Sequence, residues 1–361
     1  MRNRKSKLYR ITIQTIIISL ITAGLFTSCS PETSVPTATS TPQAATETPF
    51  DPTRTPTESP TPTPTLPPPG EPGNPVTIGF VVPEDQTDAL ESVEDLVFLM
   101  NEKSMISFIS AIYPDFQSLS SDVIDGEVDL FWLEPLEYLY LKEKGAAQVV
   151  LMSNHLGVYA YGVQFMTNIE QGFTSYYDVE TNQSTGDSIT ALQQFSGTRP
   201  CFIIPDSIPG FLVPSGFLAN ASTPTLEPVF TYSYTSMIRA LFIQGICDFG
   251  VSYALIGDPR NASDIIQNLP EAQNKVNVIW QSEGIIPNTN LSVSTELSLD
   301  LRYRLQEAFL DLPQDPEGLA LLSTALDYDV VALKVVNDSF YDPLREVLTP
   351  LNLDLQSVTQ P

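Results

Sequence analysis

The sequence predicts an α/β protein of two lobes, each a mostly parallel sheet flanked by helices, with a cleft between them. Three observations carry that expectation. Apolar runs rich in Val, Ile and Phe alternate with helix-period stretches from Val76 onward. The alternation occurs twice, and 361 residues are enough for two separate cores. Two long strand-like runs, near residues 159–168 and 274–284, stand where the chain would cross between the units.

Taken in order, "VTIGFVV" is a strand ended by Pro83-Glu84-Asp85-Gln86. Residues 88–103 form an amphipathic helix with Leu90, Val93, Val97 and Met100 on one face. "SMISFIS" is a second strand, and "DFQSLSSDVIDG" a helix stopped at Gly126. "VDLFWL" and "AQVVLMS" are strands around the helix "EPLEYLYLKEKG". The second unit opens with "VYAYGVQFMT", a short helix over 188–195 and the strand Cys201–Ile204. A Ser/Pro/Gly turn and an apolar helix follow, with the helix proper expected from about Ser215. "EPVFTYS" then leads into a helix over 235–244, with "CDFGVSYALI" and "NKVNVIWQS" as further strands. Helices near 298–311, 316–326 and 339–349 close the chain. The first lobe is expected to take residues 76–160 and 284–361, the second 161–283. In open α/β sheets ligands sit beyond the carboxyl ends of the strands. Here those ends are Pro83–Thr87, Leu133–Pro135 and the loop at Ser207.

Ahead of the fold, Arg2, Arg4, Lys5, Lys7 and Arg10 precede an apolar run, Ile11 to Phe26, and then Thr27-Ser28-Cys29. That is an export signal, shorter than a typical membrane span. Its end resembles a bacterial lipoprotein signal, which implies residues 1–28 as signal peptide and Cys29 as the lipidated N-terminus. Residues 31–75 hold 14 Pro and 12 Thr and cannot bury a core, so 29–75 reads as an extended tether. The folded part then lies outside the cytoplasm, lipid-anchored to the cell membrane. The formal net charge of −26 argues against nucleic acid as a partner.

Cys201 and Cys247 remain. A disulfide is permitted in an oxidising compartment, but two buried thiols behaving as small hydrophobes are the expectation. With one histidine in the chain, His155, neither a zinc site nor Ser-His-Asp or Cys-His catalysis is supported. No cofactor is predicted, and no enzyme.

Five stretches, "DGEVDLFWLEPLEYL", "LQQFSGTRPCFIIPDSIPGFLVPSGFL", "IRALFIQGICDFGV", "EGIIPNTNLSV" and "FYDPLREVL", occur in a telling order. Together they resemble phosphate/phosphite/phosphonate ABC-transporter binding proteins, which are type II periplasmic binding proteins. The resemblance covers residues 76–350. It implies a monomeric receptor that closes on a small-molecule solute and delivers it to ABC-transporter permease subunits. It also places the family's anion loop at Ser207-Ile208-Pro209-Gly210, where the family typically shows Ser-Thr-Ser-Gly. Tyr234 and Thr235 lie where the family often has a Ser-His pair, and Glu134 stands in a Trp132-Leu133-Glu134-Pro135 run where Trp-x-Gly-Pro is usual.

The cleft residues expected from these readings are Glu134, Tyr138, Tyr161, Ser207, Ile208, Gly210, Tyr234, Thr235 and Tyr253. The Ser207 side chain and the Gly210 N–H should face the opposite lobe, with Glu134 approaching from it. Two hydroxyls and one N–H donor fewer than the family pattern predict weak phosphonate binding. One carboxylate among tyrosines also suits an ammonium or other cation. A non-transport binding or sensory lipoprotein with a diverged cleft is the alternative in a different class.

Overall fold

A computed structural model describes residues 66–359. Its strands are β1 (Val76–Val81), β2 (Phe108–Tyr113), β3 (Leu130–Leu133), β4 (Ala147–Asn154), β5 (Ala160–Asn168), β6 (Tyr177–Asp178) and β7 (Gln183–Ser184). Then follow β8 (Pro200–Phe202), β9 (Val229–Phe230), β10 (Phe249–Ala254), β11 (Val276–Gln281), β12 (Ile286–Pro287), β13 (Asn290–Ser294) and β14 (Ala332–Val335). The first sheet runs β14-β4-β13-β3-β1-β2 and the second β11-β5-β10-β8-β9, with β12 on β5 and β6–β7 a separate hairpin.

Parallel pairs form the heart of each sheet: β2-β1-β3 in the first and β10-β8-β9 in the second. Both sheets are nonetheless mixed. The chain leaves the first sheet along β5 and comes back along β13, and each arrives antiparallel to its neighbours. The N-terminal strands and the C-terminal strand β14 therefore share one sheet.

The crossing segments touch backbone to backbone. A Cβ on Gly162 would lie 2.7 Å from the Ser282 carbonyl oxygen, and one on Gly284 would lie 2.6 Å from that of Ala160. Any other residue at either place would force the two passes apart. Ser282 N donates to Val163 O at 2.8 Å, and Ile285 N to Tyr161 O at 3.0 Å.

Helices α1 (Thr87–Lys103), α2 (Phe116–Ile124) and α3 (Pro135–Glu143) follow β1, β2 and β3. The second sheet carries α4 (Ser188–Gln193), α5 (Val213–Asn220) and α6 (Tyr234–Ile243). Side-chain caps start α2 and α6: Asp115 accepts from Ser118 N at 2.8 Å, and Ser233 from Ser236 N at 3.1 Å. One apolar cluster lies wholly under the first sheet, around Phe80, Leu96, Trp132 and Phe309. Another runs through both sheets, from Phe131 and Leu136 to Phe165, Val213 and Leu344.

Two expectations are corrected here. Cys201 and Cys247 form a disulfide, with Cα atoms 5.6 Å apart, and are not two free thiols. The cause is strand pairing: Cys201 lies opposite Gly250 on β10, and Cys247 enters that strand two residues before its start. The turn after Ser207 is also more ordered than expected. Ile208–Leu212 form a single π-type turn that runs directly into α5 at Val213, ahead of Ser215. Pro209 fits because it falls in the first turn, where its missing N–H has no partner to lose.

The signal peptide, Cys29 and the tether up to residue 65 lie outside the described residues. Among the described residues no helix is long and apolar enough to cross a membrane.

Candidate functional site

Glu134 is the residue between β3 and α3, at the carboxyl end of the first sheet. Its backbone N–H donates to Glu137 Oε2 at 2.7 Å, which caps the helix and fixes the turn. Because Asn290 pairs with Leu133, the preceding Thr289 falls opposite Glu134, and its hydroxyl donates to Glu134 Oε1 at 2.8 Å. A belt of buried polar groups holds Thr289 there. Ser153 Oγ donates to Thr289 O at 2.6 Å, and Asn290 Nδ2 to Leu133 O at 2.9 Å.

The Glu134 side chain keeps solvent-accessible surface, yet protein surrounds it densely enough to disfavour its charge. Loss of hydration raises its carboxyl above the usual range, opposed by the Thr289 hydrogen bond and by the nearby His155. Glu137 is pushed up to about 8, by burial first and then by the Glu134 charge. None of the ion pairs among the described residues involves Glu134.

Tyr161 stands at the start of the crossing strand β5, half-buried. Burial holds its phenol well above the ordinary range, and Glu134, Tyr234 and Tyr328 all act on it electrostatically. Tyr234, the first residue of α6, is pushed up to about 12 by burial, which the Ser207 side chain opposes. Its ring meets Tyr253 edge-on, with centroids 4.8 Å apart.

The Ser207 loop is closed upon itself. Ser207 Oγ accepts from Gly210 N at 3.0 Å, while the N–H groups of Phe211 and Leu212 both donate to Ser207 O at 3.0 Å. Gly210 is buried, so its N–H does not face the opposite lobe as expected: the loop's own serine takes it. Ile208 packs against the core cluster. Thr235 is half-buried, its hydroxyl 3.3 Å from Ser233 Oγ. Two non-glycine residues near these strand ends have left-handed backbones, Tyr232 (φ 60°) and Leu255 (φ 73°).

Tyr138 does not belong with this group. It is fully buried, donates to Asp338 Oδ1 at 2.7 Å and packs on Tyr341 at 4.3 Å between centroids. Arg345 pairs with the same aspartate at 2.5 Å, so Tyr138 anchors the C-terminal segment and is a core residue.

Three residues not expected in the site from the sequence lie near it. Thr289 is one. His155 and Tyr328 are the others, stacked at 4.3 Å with His155 Nδ1 2.8 Å from Asp329 O. They line a cavity of about 710 Å³ that also takes Asp85, Asp88, Asp327 and Asp329. It opens at the same edge of the first sheet as Glu134, since His155 follows β4 and Ala332, at the start of β14, pairs with Asn154.

The chain matches the family described as "ABC transporter, phosphonate, periplasmic substrate-binding protein" over residues 78–341, which takes in both sheets. It belongs to that family, whose members are transporter binding proteins and not enzymes, and its fold is that of the type II periplasmic binding proteins. A relative is the phosphate-import protein PhnD of Mycolicibacterium smegmatis, 23% identical over 223 residues. That alignment covers 58% of this chain and 63% of the relative. Among solved structures, XAC2383 from Xanthomonas citri, bound to chloride or to ATP, superposes with a TM-score of 0.52 at 16% identity. That match covers 78% of this chain and 98% of the chloride-bound one, and establishes the fold alone.

Proposed function

We propose that the protein is the extracytoplasmic solute receptor of an ABC transporter. Cys29 carries the lipid that holds it to the membrane, and residues 29–75 are the tether. It works as a monomer that captures a small solute between its lobes and presents the closed form to permease subunits. The observation carrying this reading is the family match over residues 78–341, which takes in both sheets. The proposed lobes are 76–160 with 284–361, and 161–283; the sharing of one sheet by β1 to β4, β13 and β14 supports this, although β12 pairs with β5 of the other sheet.

The phosphonate chemistry of the family is weakened in this cleft. Gly210 N–H is occupied, Pro209 has none to give, and Glu134 would repel a dianion. The reading is tested by thermal-shift measurements on the purified protein with phosphate, phosphonates, sulfonates, amines and vitamins. A solute that binds only the folded protein must raise Tm. No shift with any charge class would overturn the receptor reading. For the anchor, Cys29→Ala should release the protein from membranes or leave it uncleaved. Unchanged fractionation and mass would reject lipidation.

A further inference from the structure

After β14 the chain does not stay with its own sheet. The helix Asp342–Leu348 and the turn Thr349–Leu351 pack on α5 of the second sheet, while the terminal helix Leu355–Thr359 packs on α3 of the first. The contact with α5 is close at the backbone: a Cβ on Gly216 would lie 2.2 Å from the Val347 carbonyl oxygen. The next residue, Phe217, meets Trp280 of β11 edge-on, with ring centres 5.0 Å apart. Helix α5 is thus held between its own sheet and the C-terminal segment. The other attachments are polar. Asp338 Oδ1 accepts from Tyr138 of α3 at 2.7 Å, and Arg345 pairs with both Asp338 and Asp342. Lys334 Nζ, on β14, lies 4.2 Å from the ring centre of Tyr159 and 4.5 Å from that of Phe340. It joins none of the ion pairs among the described residues, and these rings hold it instead. Tyr159 directly precedes β5, so the lysine fastens the start of the segment to the crossing strand.

We infer that residues 338–359 form a strap between the lobes, which fixes α5 to the first sheet and limits how far the lobes open. The inference concerns the ligand-free chain and stands whether or not that chain is a solute receptor. Two crossing segments alone leave rotation about their common axis unopposed. The strap is a third connection, and rotation must move Val347 against α5. Close-packed surfaces of this kind switch between discrete arrangements and do not stretch. Arg345 holds Asp338, and Asp338 holds Tyr138, so the strap is tied to α3 by charge-assisted bonds. Helix α3 begins after Glu134, and α5 continues the turn from Ser207. The strap therefore joins the bodies of the two helices whose leading ends carry candidate cleft residues.

The test is double electron–electron resonance on the full chain carrying Cys29→Ala. Cys201 and Cys247 are bridged, so spin labels attach only to introduced cysteines. Asp88→Cys with Ile243→Cys measures across the lobes, and Asp88→Cys with Tyr303→Cys measures within the first; all three positions are exposed. Gly216→Ala drives a methyl group into the Val347 carbonyl and should shift the distance across the lobes. Arg345→Gln unties the strap from Asp338 and should widen the distribution of that distance. Each variant should leave the distance within the first lobe at the parent's value. A folded Gly216→Ala protein with the parent's distribution across the lobes overturns the strap. If Gly216→Ala does not fold, Arg345→Gln decides, and an unchanged distribution there overturns it equally. Distances that change within the first lobe as much as across the lobes would mean general loosening, which also overturns it.

Discussion

Thr289 Oγ1 donates to Glu134 Oε1 across 2.8 Å, joining the strand that returns from the second sheet to the carboxylate at the tip of the first. Thr289→Val removes that donor while keeping the shape of the side chain. A hydrogen bond to a charged group contributes about 1.5–3 kcal/mol, so a loss of that order is expected in urea denaturation at pH 8. The loss should shrink at pH 5, where Glu134, held above the usual carboxylate range, is more fully protonated. Equal losses at both pH values would mean that the hydrogen bond does not answer to the charge.

Glu137 sets a second pH dependence. Its folded value of about 8 lies above the ordinary 4.5, so the folded state binds the proton more tightly. The resulting stabilisation is complete below 4.5 and is lost as pH rises through about 8. The Tm of the ligand-free protein should therefore fall between pH 5 and pH 8, and Glu137→Gln should flatten that slope. A variant with the parent's slope would show that another group titrates.

The Cys201–Cys247 bridge closes a sequence separation of 46 residues. Loop-closure arguments and measured removals give about 2–4 kcal/mol for such a bridge. Cys201→Ser with Cys247→Ser should lower stability by that amount. Amide exchange should accelerate first around β8 and β10, which the bridge joins. Uniform acceleration across both sheets would contradict a local role.

The loop can be tested by restoring what it lacks. Ile208→Thr with Pro209→Ser returns two hydroxyls and one backbone donor to the turn. Methylphosphonate affinity should rise at least severalfold over the parent in calorimetry. No gain would mean that the carboxylate, and not the loop, limits anion binding.

Much of this was legible in the sequence, for physical reasons. Period-2 and period-3.6 patterns gave the strands and helices, and strand ends pointed to Glu134 and to the Ser207 loop. The errors come from contacts remote in sequence. Helix α3 buries Leu136, Tyr138, Leu139, Tyr140 and Leu141, so it shows no polar face to reveal which side meets the cleft. What buries Tyr138 is a segment some 200 residues away. The Gly210 N–H was misjudged because a serine three residues earlier can cap a turn or hold a ligand with the same atom. Thr289 carries no signal of its own; only the register of β13 on β3 puts it opposite Glu134.

The glycine contacts between the crossing segments bear on how the molecule moves. With Gly162 against the Ser282 carbonyl and Gly284 against that of Ala160, no layer of side chains separates the two passes. They are hydrogen-bonded as well, through Ser282 to Val163 and Ile285 to Tyr161. Sliding would break those bonds, whereas twisting preserves them. The lobes are thus hinged on a torsion ribbon, and the Ser282 and Ile285 amides should exchange slowly whether solute is bound or absent. Tyr161 sits on that ribbon, its carbonyl taking the Ile285 amide, so the twist axis passes through a residue of the candidate site.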